Sequence, residues 1–198
     1  MKAVILDYGT GNLHSIAKAL RHSGADVVLE SDSGRALRGD VLVLPGVGAF
    51  TTAAERLGGA RASIATALRD GHPCLAICLG MQLLLDRSEE GPGAGLGVIA
   101  GAAQRLTTSK VPHMGWNTLD DVSEPLCATA ALNTVYYANS FICRPTTADV
   151  IRAWTTHEHE RLPAIVRFAN TVGVQFHPEK SSRPGLGFIA AFLREVAA

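Results

Sequence analysis

The sequence predicts a three-layer α/β/α fold around a mostly parallel sheet, and three observations support this. In the first half, short and continuously apolar strands recur, as expected for strands that are buried on both faces of a sheet. Segments with helical spacing of apolar residues separate these strands, as in repeated βαβ units. In the second half the connections between strands are shorter, which favours antiparallel additions to the same sheet.

The first half alternates strands with helices. Predicted strands cover residues 3–6, 27–29, 41–44 and 74–77, and predicted helices cover residues 13–22, 51–70 and 79–85. Gly24 suits the end of the first helix, and Thr51 or Thr52 suits the start of the second. Gly58 and Gly59 should interrupt that second helix, because glycine weakens a helix interior.

The second half is predicted to be richer in strands. These cover residues 98–100, 135–141, 150–154, 164–168 and 172–176. A final helix at about 186–196 carries an apolar stripe that should face the core. Residues 88–97 are rich in glycine and read as one flexible loop. With no internal repeat and no linker, residues 1–198 are interpreted as a single domain.

The composition excludes several classes of function. The chain has 47% hydrophobic and 18% charged residues and a formal net charge of zero, without a basic block. Nucleic acids and anionic membranes are therefore not expected as partners. The N-terminal apolar run is too short for a signal peptide, and no stretch is long enough to span a bilayer. The four cysteines show neither a disulfide framework nor zinc spacing, so a reducing cytoplasmic location without metal or cofactor is expected.

Cys78 lies between a predicted strand and a predicted helix, in the run CLAICLGMQ. A cysteine at such a turn is displaced from the sheet, with its sulfur at the start of a helix. The helix dipole favours the thiolate there, and the thiolate is the nucleophilic form. A buried core cysteine is the alternative interpretation, because cysteine is often fully buried.

A nucleophilic cysteine needs a base and a group that orients the base. The segment Gly173–Glu179 (GVQFHPE) contains both types of residue. Because strand residues two apart face the same way, His177 and Glu179 should share one side of the strand end, with Pro178 fixing the turn between them. By itself, the His-Pro-Glu sequence also fits an ordinary surface turn.

Acyl transfer also needs hydrogen-bond donors for a developing oxyanion. The backbone N–H of Leu79 directly follows the candidate nucleophile and can supply one. The turn from Pro45 to Gly48 ends a neighbouring predicted strand and can supply another. Its glycines allow the backbone to approach a ligand, although a plain strand-to-helix turn would have the same composition.

These three segments, in this order, resemble the class I glutamine amidotransferases, which implies their flavodoxin-like fold. Further runs resemble one branch, the glutaminase subunits of imidazole glycerol phosphate synthase in histidine biosynthesis. They are PHMGWN at 112–117, YGTGNLHS at 8–15, CLGMQLL at 78–84 and SEE at 88–90. The resemblance extends over nearly the whole chain.

The resemblance implies a catalytic mechanism and a set of site residues. Cys78 would attack the carboxamide of L-glutamine, His177 would transfer protons, and Glu179 would orient His177. The implied substrate-binding and oxyanion residues are Gly48, Leu79, Gln82, Glu90 and the backbone of Ser140 and Phe141, with Val47 as the peptide that reorients. The family uses neither a metal nor a cofactor for this step.

The resemblance also implies a partner. Family members form a heterodimer with a (β/α)8-barrel cyclase subunit, which receives the ammonia through a channel. The residues that match interface positions are Asn12, Trp116, Tyr136 and Lys180. For Trp116, an ordinary core position is the alternative.

Two positions depart from the family pattern. Ala76 stands where glycine is common and should tighten packing without removing the chemistry. Asn139 replaces a histidine that is common in the family near the interface and the substrate. The resemblance therefore does not define how activation passes between the subunits at this position. Three other functions stay open: a class I glutaminase of another pathway, a cysteine hydrolase on a related fold, and a non-catalytic relative that only stabilises a partner.

Overall fold

A computed structural model describes residues 1–9, 13–46 and 48–198. The strands are β1 Lys2–Leu6, β2 Asp26–Glu30, β3 Val41–Leu44, β4 Cys74–Ile77, β5 Arg87–Ser88, β6 Gly101–Arg105, β7 His113–Thr118, β8 Thr134–Asn139, β9 Phe141–Pro145, β10 Ile151–His157, β11 Glu160–Phe168 and β12 Thr171–Val174. The α-helices are α1 His14–His22, α2 Phe50–Leu57, α3 Arg61–Arg69, α4 Leu79–Leu83, α5 Pro125–Ala130 and α6 Ser182–Ala197.

A seven-stranded sheet forms the middle layer, with the order β10-β11-β12-β4-β3-β1-β2. The strands from β12 to β2 are parallel, whereas β10 and β11 join one edge in antiparallel fashion. Strands β1, β3 and β4 are short apolar runs with helices against both faces, as their sequences predict. The predicted mostly parallel α/β/α fold class is confirmed.

The core consists of one apolar layer on each side of the sheet. Ile5 and Val43 face the layer that contains α1, α5 and α6, with Phe188 and Phe192 among its largest side chains. Alternate residues of the same strands face the other layer, which contains α2, α3 and α4. The departure at Ala76 lies in this second layer and is fully buried.

Several predicted boundaries were wrong. The predicted strand 98–100 is not a strand, because Val98 and Ile99 both donate backbone hydrogen bonds to the carbonyl of Leu84 and so wrap the end of α4. The predicted strand 135–141 is divided at Ser140 into β8 and β9. These belong to two small sheets, β7-β8 and β5-β6-β9, and not to the main sheet as predicted.

Other elements begin or end differently from the prediction. The predicted helix 51–70 is divided into α2 and α3 at Gly58, where φ is +44°, so the expected interruption is confirmed. Strands β5, β6 and β7 and helix α5 were not predicted. Within the described ranges, no helix has the length and apolar character needed to cross a bilayer.

Candidate active site

Cys78 occupies a sharp turn between β4 and α4. Its backbone has φ 48° and ψ −102°, a region that non-glycine residues rarely adopt. Helix α4 packs closely on the end of β3, because a Cβ atom at Gly80 would lie 2.1 Å from the Leu44 carbonyl oxygen. This close approach holds the turn at the carboxyl edge of the sheet, as the sequence predicts for Cys78.

His177 and Glu179 meet at the end of β12. The His177 Nδ1 atom lies 2.8 Å from the Glu179 Oε1 atom, and both side chains are buried. The predicted pairing is present, and the predicted turn at Pro178 lies between the two residues, but the predicted strand alternation was wrong. Strand β12 ends at Val174, and Glu179 lies in a 3-10 turn, Pro178–Lys180, that follows His177. The turn, not strand alternation, brings the two side chains together.

Hydrogen bonds to β8 and to the turn that follows fix the backbone of His177. Its N–H donates to the Tyr136 carbonyl on β8 at 2.8 Å, and its carbonyl accepts from the Ser181 hydroxyl at 2.7 Å. The Ser181 Oγ in turn accepts from the Tyr136 N–H at 3.0 Å. Strand β8 of the small sheet is therefore bonded directly to the turn that carries His177.

The imidazole of His177 contacts both Cys78 and Glu179. Burial disfavours its protonation, but hydrogen bonds and charge interactions with Cys78 and Glu179 outweigh burial and raise the pKa of His177 to about 10. The site therefore stabilises an imidazolium beside the sulfur. This is the product of proton transfer from the Cys78 thiol, as nucleophilic catalysis requires.

A cavity of about 190 Å³ opens beside the Cys78 sulfur. It brings together residues from both halves of the chain and from all three sheets or their connections. Its lining consists of Gly46, Gly48, Cys78, Leu79, Gln82, Glu90, Ala138, Asn139, Ser140 and Phe141. All the sequence-predicted substrate and oxyanion residues that the structure describes are in this lining.

Two of the polar lining residues already hold the walls of the cavity. The Gln82 Nε2 donates to the Phe141 carbonyl at 3.1 Å, which connects α4 to the start of β9. The Glu90 Oε2 accepts from the Phe50 N–H at 2.9 Å, at the first residue of α2. These contacts place the carboxylate of Glu90 next to the helix that follows the glycine turn.

Gly46 of the glycine turn packs closely against Cys78 and His177. A Cβ atom at Gly46 would lie 2.9 Å from the Cys78 Cβ and 3.0 Å from the His177 Cε1, so no larger residue fits. Gly48 has φ +105°, which favours glycine. The predicted reorienting residue, Val47, lies outside the described residues.

The predicted interface residues that the structure describes lie on one surface. Trp116 on β7 is 53% exposed and contacts Tyr136 on β8 edge-on, with ring centroids 6.0 Å apart. The Lys180 Nζ lies 6.0 Å from the same Tyr136 ring centroid. The exposure of Trp116 rules out the core position that was its alternative. Asn12 lies outside the described residues.

Two residues near these sites were missed by the sequence reasoning. Met114 is 64% exposed and lies two residues before Trp116 on β7, so strand alternation was the available signal. Gln175 is fully buried, and its Nε2 atom lies 3.5 Å from the Cys78 sulfur. No sequence pattern indicated this contact, because it joins β4 to the segment after β12.

Comparison with known proteins identifies the family. Residues 4–196 match the sequence model described as glutamine amidotransferase class-I. The chain belongs to the class I glutamine amidotransferase family. The match includes the Cys78 turn, the glycine turn and the His177–Glu179 pair.

Close relatives of this class I glutamine amidotransferase carry the name imidazole glycerol phosphate synthase subunit HisH. The relative from Methanothermobacter thermautotrophicus is 43% identical over 197 residues, which cover 98% of each chain. The relative from Synechocystis sp. is 40% identical over 202 residues, covering 98% of this chain and 96% of its own.

Solved structures share the class I glutamine amidotransferase fold at lower identity. A crystal structure described as glutamine amidotransferase has a TM-score of 0.74 and 18% identity, with 99% of both chains covered. The structure of PurLQS from Thermotoga maritima has a TM-score of 0.77 and 18% identity, with 98% of both chains covered. At this identity the likeness concerns the fold alone.

Proposed function

We propose that this chain is the glutaminase subunit of imidazole glycerol phosphate synthase and hydrolyses L-glutamine to L-glutamate and ammonia in the cytoplasm. The observation that carries the proposal is the position of Cys78, on a strained turn beside the buried His177–Glu179 pair and at the edge of a polar cavity. The names of relatives at about 40% identity over nearly the full chain support the choice of branch.

In the proposed reaction the Cys78 thiolate attacks the carboxamide carbon of glutamine. The imidazolium of His177 gives its proton to the departing nitrogen, so ammonia leaves and a glutamyl thioester remains. His177 then takes a proton from water as the water attacks the thioester. The carbon–sulfur bond breaks, glutamate leaves, and Cys78 returns to its starting state. Glu179 holds the Nδ1 side of the imidazole through both steps.

Backbone N–H groups would stabilise the oxyanion that forms twice in this reaction. Those of Gly48 and Leu79 come from the two turns that line the cavity next to the sulfur. The peptide at Val47 is proposed to reorient when this oxyanion hole forms.

The remaining lining residues would hold glutamine. Glu90 offers a carboxylate to the α-ammonium group, and Gln82 offers a carboxamide near the nucleophile. The backbone of Ser140 and Phe141 would pair with the amino-acid end of the substrate. Charge and hydrogen-bonding capacity therefore favour a small zwitterion over an apolar ligand.

The proposed partner is the (β/α)8-barrel cyclase subunit, in a heterodimer. Ammonia released into water would largely be protonated and lost, so direct transfer to the cyclase is part of the proposal. There it would serve the formation of imidazole glycerol phosphate and of the aminoimidazole carboxamide ribonucleotide by-product. The surface formed by Trp116, Tyr136 and Lys180, together with Asn12, would face the cyclase.

The test is a Cys78→Ala variant in complex with the cyclase subunit. Glutamine-dependent synthesis should disappear, because no thioester can form, whereas synthesis from added ammonium salt should persist. Cys127→Ala is the matched control, since Cys127 is also a buried free cysteine but lies outside the cavity, on α5. Retained glutamine hydrolysis by Cys78→Ala would refute the proposal. Full hydrolysis without any partner would favour an independent cysteine hydrolase.

A further inference from the structure

One backbone carbonyl in the cavity wall accepts two side-chain hydrogen bonds. The Phe141 oxygen receives the Gln82 Nε2 and the Asn139 Nδ2, each at 3.1 Å. Both donor side chains are buried, Gln82 at 4% exposure and Asn139 at 5%. A carbonyl oxygen has two lone pairs, so this pair of amides uses the full accepting capacity of the Phe141 carbonyl.

The two donors hold Phe141 from opposite sides of the site. Gln82 lies on α4, and its N–H donates to the Cys78 carbonyl, so it follows the position of the nucleophile. Asn139 is the last residue of β8, which is bonded to the His177 turn through Tyr136. The Gln82 amide therefore connects the Phe141 carbonyl to the helix that follows the nucleophile. The Asn139 amide connects the same carbonyl to the strand that is bonded to the base.

The orientation of the Asn139 carboxamide follows from its acceptor. The Phe141 carbonyl can only accept, so the Asn139 nitrogen must face it. The Asn139 Oδ1 is then left buried, and it has no hydrogen-bond partner among the described residues. An unpaired buried acceptor lowers stability, so a residue serving only the fold would be better with both atoms paired. The arrangement fits a role in the site.

We infer that Asn139 is a positioning residue for glutamine, which acts by fixing the Ser140–Phe141 backbone in the cavity wall. This inference rests on the proposed function, in which that backbone pairs with the substrate. Ser140 is the one residue between β8 and β9, and its carbonyl accepts from the Leu106 N–H at 3.0 Å. Without the Asn139 bond, the Phe141 carbonyl would keep one side-chain hydrogen bond among the described residues, that from Gln82, beside the pairing of Phe141 with β6.

The experiment compares Asn139→Asp and Asn139→Ala with the wild type, each in complex with the cyclase subunit. Aspartate keeps the shape but presents oxygen to the Phe141 carbonyl, and alanine removes the donor without adding repulsion. The KM for glutamine should rise roughly tenfold in Asn139→Asp and less in Asn139→Ala, because one hydrogen bond is lost. The value of kcat should change little, because ground state and transition state lose the same contact.

Asn170→Asp is the matched control. The Asn170 Nδ2 also donates to a backbone carbonyl, that of Gly71 at 2.7 Å, but far from the cavity in the loop before β12. Its KM should equal that of the wild type. Synthesis from ammonium salt should be unchanged in all three variants, which checks folding and assembly with the cyclase.

The outcomes separate the inference from the function on which it rests. If the wild type hydrolyses glutamine and neither Asn139 variant raises KM, the inference is wrong and the proposed function stands. A loss confined to kcat, or an equal rise of KM in Asn170→Asp, would overturn it as well. If the wild-type complex does not hydrolyse glutamine, the proposed function fails and the inference fails with it.

Discussion

At the residue scale, the strained backbone of Cys78 connects structure to chemistry most directly. A non-glycine residue in such a conformation costs about 1–3 kcal/mol and persists only where its surroundings enforce it. Here the enforcing contacts are the close approach of Gly80 to Leu44 and of Gly46 to Cys78 itself. The strain keeps the sulfur exposed to the cavity while the rest of the turn stays buried.

The carboxylate of Glu179 should matter for rate more than for binding. In Glu179→Gln the amide oxygen can still accept from the Nδ1–H of His177. The negative charge that stabilises the imidazolium is lost. We expect kcat to fall roughly 100- to 10,000-fold, the usual contribution of general acid–base catalysis, while the KM for glutamine stays nearly constant. Steady-state kinetics with the cyclase subunit would measure both. Glu158→Gln, at an exposed turn outside the cavity, should behave like the wild type.

The buried amide of Gln175 offers a second residue-scale test. Its Nε2 lies close enough to donate to the Cys78 sulfur, which favours the thiolate. In Gln175→Glu a carboxylate would face the sulfur and disfavour the thiolate. At a fixed neutral pH, the rate of Cys78 alkylation by iodoacetamide should therefore be lower than in the wild type. An unchanged alkylation rate would mean that Gln175 has only a packing role.

At the element scale, the contact of α4 with β3 is the tightest in the described site. A Cβ atom at Gly80 would meet the backbone of Leu44, which cannot move without disturbing the sheet. Gly80→Ala should lower the free energy of unfolding by about 1–3 kcal/mol and reduce activity, because the elbow must shift. Urea unfolding would measure the first effect. Gly59→Ala is the control, since nothing lies within 4 Å of its Cβ position.

A buried ion pair joins three other elements. Arg167 on β11 donates to the fully buried Glu124 side chain before α5, and to Glu195 on α6. The hydrogen bond to Glu124 is the largest cause of an Arg167 pKa above its ordinary value, and the hydrogen bond to Glu195 raises that pKa further. The packing of α5 and α6 against this edge of the sheet therefore depends on a partly buried charge, which is screened less than a fully exposed one.

Removing one partner of this pair should be costly. In Glu124→Gln the Arg167 guanidinium loses its buried counter-charge, so the free energy of unfolding should fall by about 3 kcal/mol. Asp121→Asn removes an exposed partner of Arg161 and should cost less than about 1 kcal/mol. Chemical denaturation of both variants gives the comparison. Equal small losses would show that the burial of Glu124 contributes nothing.

At the scale of the whole molecule, acid sensitivity should arise in the small β7-β8 sheet. His113 is 3% exposed and stacks between Tyr137 and His157. Burial first, and then the nearby His157, lower the pKa of His113 from 6.5 to about 4. The unfolded chain therefore binds the proton more tightly. Stability from neutral His113 is complete above pH 6.5 and is lost as the pH falls toward 4.

The variant His113→Phe separates this effect from general acid denaturation. Phenylalanine keeps a ring against Tyr137 but does not titrate. The free energy of unfolding should fall less steeply with acidification in His113→Phe than in the wild type over the window from pH 6.5 to about 4. His159→Asn changes an exposed histidine and should follow the wild-type curve. Parallel curves for wild type and His113→Phe would contradict the prediction.

The sequence predicted the parallel part of the fold because local signals determine it. Strands such as β3 and β4 are apolar without interruption, and the glycines between the strands suit turns. The small sheets were not predicted, because β6 and β7 carry mixed polarity and pair with strands that follow much later in the chain. Their register depends on tertiary contacts, which the spacing of apolar residues along the chain does not predict.

The candidate site was predictable to a similar extent. The positions of Cys78, His177 and Glu179 follow from short motifs, and the cavity includes the expected substrate residues. The Asn139 and Gln175 contacts were not predictable, since each joins elements that only the folded chain brings together. The sequence identified Asn139 as a departure from the family pattern. It did not predict that the Asn139 side chain donates to the Phe141 carbonyl.

Strand β8 connects the outer surface with the active site. Its Tyr136 presents a ring toward Trp116 and Lys180 on the outer surface, while its carbonyl holds the backbone of His177. Three residues later the same strand ends at Asn139, beside the cavity. One short strand therefore connects the outer surface to both the base and the cavity wall. A partner that displaced the outer face of β8 would move the His177 backbone and the Asn139 side of the cavity together.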